Sequence, residues 1–520
     1  MRRITVLPAV VTILVSVPTV AQTPIEVSTE PQFFVDALLF SESANIALRL
    51  HPARKTGEHN LERDRPWESA TLNWFTVMAD DAYTVTPGAK YRMWYECYDI
   101  EGWPTGDDTS FCYAESADGI HWVKPKLSLF EYQGEKTNNI LFRMLGPEQA
   151  HSRVHGTGVF RDPSAPRDAR YKAVSQGVFS SVGKPPHRIA GMHSADGLHW
   201  TRYPSPICNV FADSQFSAFW DTASEAYVLY GRVAGHGRAI GRSTSTDFSR
   251  FPPLELVLDN ADDEPPNSDL YNPPVLRYED LYLMFPSLFR HDTQTLDIRL
   301  AVSRDGIHWT WPDGDTPFIP LGQPGEFDSG SLYMGQGMIP ADNGETWLYY
   351  GGSRLKHDES ELERLVKPGN SRVYSRVVTR LDRLVSVDAG DKMGHFVTPP
   401  LSFRGNALVL DAEVLEGGRV RVGMLREDGT PIKGRAVVEC VPIRRERRDQ
   451  IVRWVVPNSG ITTTADGGLL HYDGFAFSYD VGEYADQAVR LRVEMTNASL
   501  YSFVFQTLTA RPRGTQPSSR

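Results

Sequence analysis

The sequence predicts an all-β protein, a five-bladed β-propeller followed by a C-terminal β-sandwich. Three observations predict it: a seven-residue turn that recurs along the chain, an aromatic-rich strand ahead of each copy, and a change to unrepeated alternating strands after about Asp391. Regular repetition of one supersecondary unit points to an architecture in which each unit buries its face against the next.

The turn reads Ser116-Ala-Asp118-Gly-Ile-His-Trp122, Ser194-Ala-Asp196-Gly-Leu-His-Trp200 and Ser303-Arg-Asp305-Gly-Ile-His-Trp309. Ser245-Thr-Asp247-Phe-Ser-Arg-Phe251 is a worn fourth copy and Thr379-Arg-Leu-Asp382-Arg-Leu-Val385 a fainter fifth. Its chemistry is that of a tight turn. Gly adopts positive φ, Asp accepts backbone hydrogen bonds from two residues on, and Ser ties the strand end. The Trp is expected to pack beneath it, and a buried indole removes roughly 150–250 Å² from water, about 4–6 kcal/mol gross. These Asp residues therefore read as scaffold rather than as catalysts.

Each copy follows an apolar strand, a turn and an aromatic-rich strand. The aromatic strands are Tyr91-Arg-Met-Trp-Tyr95, Tyr171-Lys-Ala-Val174, Tyr227-Val-Leu-Tyr230, Tyr282-Leu-Met-Phe285 and Trp347-Leu-Tyr-Tyr350. Five such strands predict five blades, closed around an axis so that few sheet edges are left open. Beyond the repeat, Arg419-Val-Arg-Val-Gly423 and Val489-Arg-Leu-Arg-Val493 alternate without the heptad, as in a sandwich. The expected division is 33–390 for the propeller and 394–510 for the sandwich, with a disordered tail at 511–520.

Composition agrees with this class. Of 520 residues, 42 are Gly and 36 Pro, with 21 Tyr, 24 Phe and 11 Trp, which suits many short strands and turns. At the N-terminus, Arg2 and Arg3 precede an apolar run from Ile4 to Val20 that closes on small residues. Residues 1–21 are thus expected to be a cleaved export signal, giving a periplasmic or secreted protein with no membrane span after cleavage. The formal net charge of −11 disfavours nucleic acid as a partner. Four cysteines are too few for a disulfide scaffold and match no zinc spacing, so no metal or other cofactor is expected. Cys97 and Cys112 fall on successive predicted strands, where a cross-hairpin disulfide or two buried thiols are both compatible with the sequence. The acidic run Asp259-Asn-Ala-Asp262-Asp263-Glu264 lacks the oxygen spacing of a Ca²⁺ loop and reads as a solvated loop.

Further stretches resemble the five-bladed propeller glycoside hydrolases, the broad group that joins families 32, 43 and 68, and above all the family-32-like hypothetical proteins. They are Arg65-Pro-Trp-Glu68, Val159-Phe-Arg-Asp-Pro163 before Arg170-Tyr-Lys172, Phe219-Trp-Asp221, Pro317-Phe-Ile-Pro-Leu321 with Phe327-Asp-Ser-Gly330, Trp347-Leu-Tyr-Tyr-Gly-Gly352 and Leu500-Tyr-Ser-Phe503. The resemblance spans residues 33–510 and implies a carbohydrate substrate, hydrolysed by paired carboxylates. Invertase-type members carry an Asn-Asp-Pro-Asn nucleophile motif and a Glu-Cys acid motif. Neither is recognised in the repeats; Cys440 does follow Glu439, but in the predicted sandwich. Arg161-Asp162-Pro163 is similar to the group's Arg-Asp-Pro, whose Asp stabilises the transition state, but its register places it near a peripheral hairpin.

The innermost strand of each blade is expected to start near the axial pocket, so acids just before those strands are the ones able to converge. This rule selects Asp213, Asp269, Glu68 and Asp328 as candidate catalytic groups, with Asp213 foremost as an acid or base. Arg153, His155, Arg232, His291 and His357 are candidate substrate-binding residues, able to hold hydroxyls or a carboxylate or to tune an acid. A glycosidase needs one protonated and one ionised carboxyl across the scissile bond. Two other readings remain open: a non-catalytic carbohydrate-binding propeller, and a sialidase-like enzyme. The sialidase Asp-box resembles the heptad but has one more residue between Asp and Gly.

Overall fold

The computed structural model describes residues 23–27, 29–100, 109–143, 154–184, 187–213, 215–235, 237–259, 268–314, 316–359, 361–445, 447–456, 469–472 and 475–509. The predicted export signal, the C-terminal tail, Arg153 and residues 260–264 of the acidic run lie outside the described residues. The protein is nearly all β with a propeller-like arrangement of sheets. Its one described α-helix, Leu362–Leu365, is a single turn.

Successive repeats build successive antiparallel sheets. The first runs Thr71–Ala79, Tyr91–Tyr98, Thr109–Ser116, Ile140–Phe142. In the second, the order is Gly158–Arg161, Tyr171–Val178, His187–Ser194. Ser217–Asp221, Ala226–Gly235, Gly237–Ser245 and Glu255–Leu258 form the third. Four of the five aromatic stretches read from the sequence lie wholly in strands, and the fourth in chain order, Tyr282–Phe285, does so up to Met284.

The fourth repeat departs from this plan, and prolines explain how. Its first strand is interrupted at Asn272-Pro273-Pro274, between Ser268–Tyr271 and Val275–Tyr278, and its second at Phe285-Pro286, between Leu281–Met284 and Ser287–Arg290. A proline supplies no N–H to a sheet ladder. The outer segments accordingly form a separate three-stranded sheet. The inner ones join Ser331–Met334, Thr346–Ser353 and Val373–Thr379 in an eight-stranded sheet, through parallel pairing of Leu296 with Ser331. The N-terminal strand Arg54–Lys55 completes that sheet by pairing with Val377 and Val378.

The three clear heptads fold alike. Gly119, Gly197 and Gly306 have φ of 74°, 75° and 73°. Oδ1 of Asp118, Asp196 and Asp305 accepts the backbone N–H groups two and three residues on, each at 2.8 Å. The worn copy keeps an Asp247 turn, whereas Leu381–Arg383 of the faint fifth is a 3₁₀ turn without glycine. Trp122, Trp200 and Trp309 are half-buried, not buried as expected. The space against each glycine is taken by the neighbouring sheet. The Trp94 indole donates to the Gly197 carbonyl at 2.7 Å, Tyr230 to Gly306 at 2.8 Å and Tyr349 to Gly119 at 2.7 Å.

A second set of bonds ties sheet to sheet. At the outer end of the inner strands, Asp80, Asp162 and Asp221 accept from the phenols of Tyr171, Tyr227 and Tyr282, each on the second strand of the next repeat. Asp162 also binds Lys172 at 3.0 Å and caps the turn at Ser164 and Ala165, which gives its Arg-Asp-Pro context a local structural purpose.

At the C-terminus, the 20-residue strand Ala407–Arg426 and the 18-residue strand Val489–Gln506 pair along most of their length in a ten-stranded sheet. The N-terminal strands Ile25–Val27, Gln32–Phe33, Glu42–Ala44 and Ala47–Leu50 belong to this sheet, so the chain passes through it before reaching the repeats. Its core includes stacked Phe403 and Phe505 rings, 3.7 Å apart, and buried Trp454, whose indole N–H donates to the Val422 carbonyl at 2.9 Å.

Candidate functional site

The starts of two inner strands, with residues from neighbouring segments, surround a cavity of about 150 Å³. Thr71 and Asn73 come from the first repeat, His155 precedes the first strand of the second, and Ser331 and Tyr333 belong to a later one. His357 and Arg372 reach in from the segment between the strands Thr346–Ser353 and Val373–Thr379.

His155 connects this cavity to Asp213. Its Nε2 lies 3.4 Å from Asp213 Oδ1, while Nδ1 lies 3.0 Å from the Tyr98 hydroxyl and 3.8 Å from Glu96 Oε2. Asp213 is also paired with Arg232 at 2.8 Å, and its side chain is 36% exposed. Asp213, His155 and Arg232, selected separately from the sequence, lie in contact through the Asp213 carboxylate.

Asp269 and His291 form the neighbouring cluster. The Asp269 carboxylate accepts from the Arg238 backbone N–H at 2.8 Å and from its guanidinium, and His291 Nε2 lies at 3.0 Å. Burial alone would raise this carboxyl, yet these donors together hold it below the usual carboxylate value. Arg238 and Arg232 both lie over the ring of Tyr271, whose hydroxyl is 2.7 Å from His357 Nε2. Burial, followed by the nearby Arg238 charge, lowers His357 and favours its neutral form.

None of the four candidate acids lines the cavity, and Glu68 and Asp328 lack even the contact through His155 or Tyr271 that Asp213 and the Asp269 cluster have with its lining. Glu68 is fully buried and accepts from Tyr95 and Lys124, both at 2.6 Å. Asp328 accepts from Lys55 and Tyr350, both at 2.7 Å. Together with Asp162, Lys172 and Tyr227, these make three acid–lysine–tyrosine groups of the same composition.

Several of the groups gathered here carry little signal in the sequence. Glu96 directly precedes Cys97, so a Glu-Cys pair does stand among the repeats as well as at Glu439-Cys440. Its buried carboxylate accepts the Thr157 N–H at 2.7 Å, on the far side of His155 from Asp213. Arg238 had a local signal, the Gly235–Gly237 hairpin just before it. Arg372 had none, because its partner Asn73 is 299 residues away.

No protein-family model matches the chain, and no curated protein does. Solved structures that it resembles include a glycosyl hydrolase from Bacteroides ovatus, with TM-score 0.41, 14% identity and coverage of 70% of this chain and 97% of that one. Another is an N-acetylgalactosamine deacetylase from F. plautii in complex with blood group B trisaccharide, with TM-score 0.41, 14% identity and coverage of 65% and 96%. A third is a thermostable family-43 glycoside hydrolase, with TM-score 0.39, 11% identity and coverage of 61% and 89%. These likenesses assign neither activity nor substrate to the chain. Among the described residues no helix is long and apolar enough to cross a membrane.

Proposed function

We propose that the protein is an exported glycoside hydrolase acting on a glycan or oligosaccharide. In this reading it is a five-bladed propeller, its last blade completed by Arg54–Lys55, followed by a sandwich into which the N-terminal strands are woven. The observation that carries the functional reading is the half-open Asp213 carboxylate, held by Arg232 and His155 beside the axial cavity.

Asp213 is the group that exchanges protons with the substrate, because it is the more exposed of the two clustered acids. Asp269, kept ionised by Arg238 and His291, stabilises positive charge on the sugar ring as the glycosidic bond breaks. Arg232, His155, His291 and His357 position hydroxyls. Glu68 and Asp328, enclosed by Lys124 and Lys55, hold the scaffold.

One observation favours a second reading, a carbohydrate-binding propeller without turnover. Each of the four candidate acids has a cationic partner within 2.8 Å, whereas a general acid has to hold a proton near neutral pH. A panel of aryl glycosides and oligosaccharides separates the two. Hydrolysis by the purified protein, reduced about 100-fold or more in Asp213→Asn, supports the first; binding with no turnover anywhere on the panel supports the second.

A further inference from the structure

The cavity beside Asp213 has an unusual charge balance. Its lining includes Arg372, Lys356, His357, His155, Asn73 and Ser331, but no aspartate or glutamate. This occurs in a chain whose formal net charge is −11, so the local positive character comes from where these side chains are placed.

Arg372 is held ready rather than neutralised. Its guanidinium lies 4.3 Å from the Tyr333 ring centroid, and Nη1 donates to Asn73 Oδ1 at 2.5 Å. Its Nε is buried and has no hydrogen-bond partner among the described residues. A buried donor left unmatched costs about 1–3 kcal/mol, so an arriving acceptor recovers that cost. Stacking on Tyr333 fixes the plane of the guanidinium, which prepares it for two-point binding of a carboxylate. Lys356 is exposed at the rim, and His357 adds a ring nitrogen beyond the one that faces Tyr271.

We propose that this cavity binds the carboxylate of an acidic sugar, a uronate-type unit at the end of a glycan, with Arg372 as the principal contact. The volume supports a terminal unit, since about 150 Å³ is well below the roughly 300 Å³ at which drug-sized ligand pockets begin. His155 links the cavity to Asp213, so a sugar anchored by its carboxylate presents its glycosidic bond toward that acid. The sugar part of the inference rests on the carbohydrate-acting reading above; the anion part rests on the cavity alone.

The test is calorimetric titration of the purified full chain with galacturonate and glucuronate. Galactose, glucose, methyl galacturonate and inorganic phosphate serve as comparisons. The expected result is binding of a uronate at least about tenfold tighter than its neutral counterpart and its methyl ester. Arg372→Gln should weaken it by about tenfold or more, the equivalent of one charge-assisted hydrogen bond. Lys356→Ala, at an exposed position, should weaken it less, and provides a second readout should Arg372→Gln not fold. Equal binding of neutral and acidic sugars overturns the proposal, as does uronate affinity unchanged in both variants. Phosphate binding with no uronate binding overturns the sugar-carboxylate assignment. Uronate binding by both the parent and Asp213→Asn, with no hydrolysis by the parent of any aryl glycoside or oligosaccharide, aryl uronides included, supports the cavity and removes the hydrolase, so the two readings fail separately.

Discussion

The phenol of Tyr349 donates a 2.7 Å hydrogen bond to the carbonyl of Gly119, joining a late sheet of the propeller-like body to the first one. Gly119 sits at φ 74°, and a Cβ there would meet Trp347 Cζ3 and Tyr349 Oη, each at 3.0 Å. The bond ties together residues 230 apart in sequence, so it acts on closure of the ring of sheets rather than on one sheet.

Tyr349→Phe is therefore expected to lower unfolding free energy by about 1–2 kcal/mol, since it leaves a buried carbonyl unmatched. Gly119→Ala should cost more, because positive φ and the aromatic contact both oppose a methyl group. Urea denaturation of the two variants measures both costs. A Tyr349→Phe midpoint equal to that of the parent would show that the bond contributes nothing to closure.

The local half of this relationship was legible in the sequence and the distant half was not. Ser-x-Asp-Gly-x-x-Trp specifies its own turn through bonds spanning two or three residues, and all three clear copies adopt it. Nothing in the heptad says that its glycine receives an aromatic residue from another repeat, so the Trp was expected to be more deeply buried than it is. The prolines at 273, 274 and 286 were visible, but their shared level in adjacent strands depends on register. At the candidate site, Asp213 and Asp269 can be selected because strand starts are read locally, but the same rule selects Glu68 and Asp328, whose lysine and tyrosine partners are distant in sequence. Arg238 binds Asp269 across 31 residues and Arg372 binds Asn73 across 299, distances over which single-sequence periodicity carries no signal.

Acid should loosen the sheet-to-sheet contacts. Burial opposes ionisation of Asp162, but Tyr227, Ser164 and Lys172 outweigh it and hold its pKa below the ordinary value. Asp221 is lowered in the same way by Ser224 and Tyr282. A carboxyl whose folded pKa lies below its unfolded value of about 3.9 adds stability above that pH and loses it as pH falls through the folded value. Thermal midpoints measured from neutral pH downward should drop below about pH 4. Asp162→Asn should flatten part of that drop. At neutral pH it should also cost about 3–5 kcal/mol, because Lys172 is left buried without its counter-charge.

Cys97 and Cys112 place their Sγ atoms 3.2 Å apart on adjacent strands, both fully buried as thiols. Burial, and next the neighbouring Cys112, pushes the Cys97 thiol well above its usual pKa, which suppresses the reactive thiolate. Native protein at neutral pH should resist iodoacetamide at both positions, and both should react in denaturant after reduction. Diamide added as the protein refolds from denaturant, when the thiols are accessible, should link the two, a bridge detectable by peptide mass mapping. Rapid labelling of either cysteine in the native state would contradict this burial.

Gly237 sets the geometry of the Asp269 cluster. It has φ 94°, and a Cβ built there would run into Asp269 Oδ1. The next residue, Arg238, uses both its backbone N–H and its guanidinium to hold that carboxylate. Gly237→Ala is thus strained by its φ and displaces the acid from its donors at the same time. If Asp269 stabilises charge at the reacting sugar, kcat should fall about 100-fold to 1000-fold, the range found when one preorganised electrostatic contact is lost, with a smaller change in KM. Arg238→Lys keeps a cation but loses the planar fork, and should give a milder fall in kcat with less effect on folding. Equal kcat in Gly237→Ala and the parent, with the variant shown to be folded by circular dichroism, would remove Asp269 from the chemistry and leave Asp213 as the only acid of the cluster to account for it.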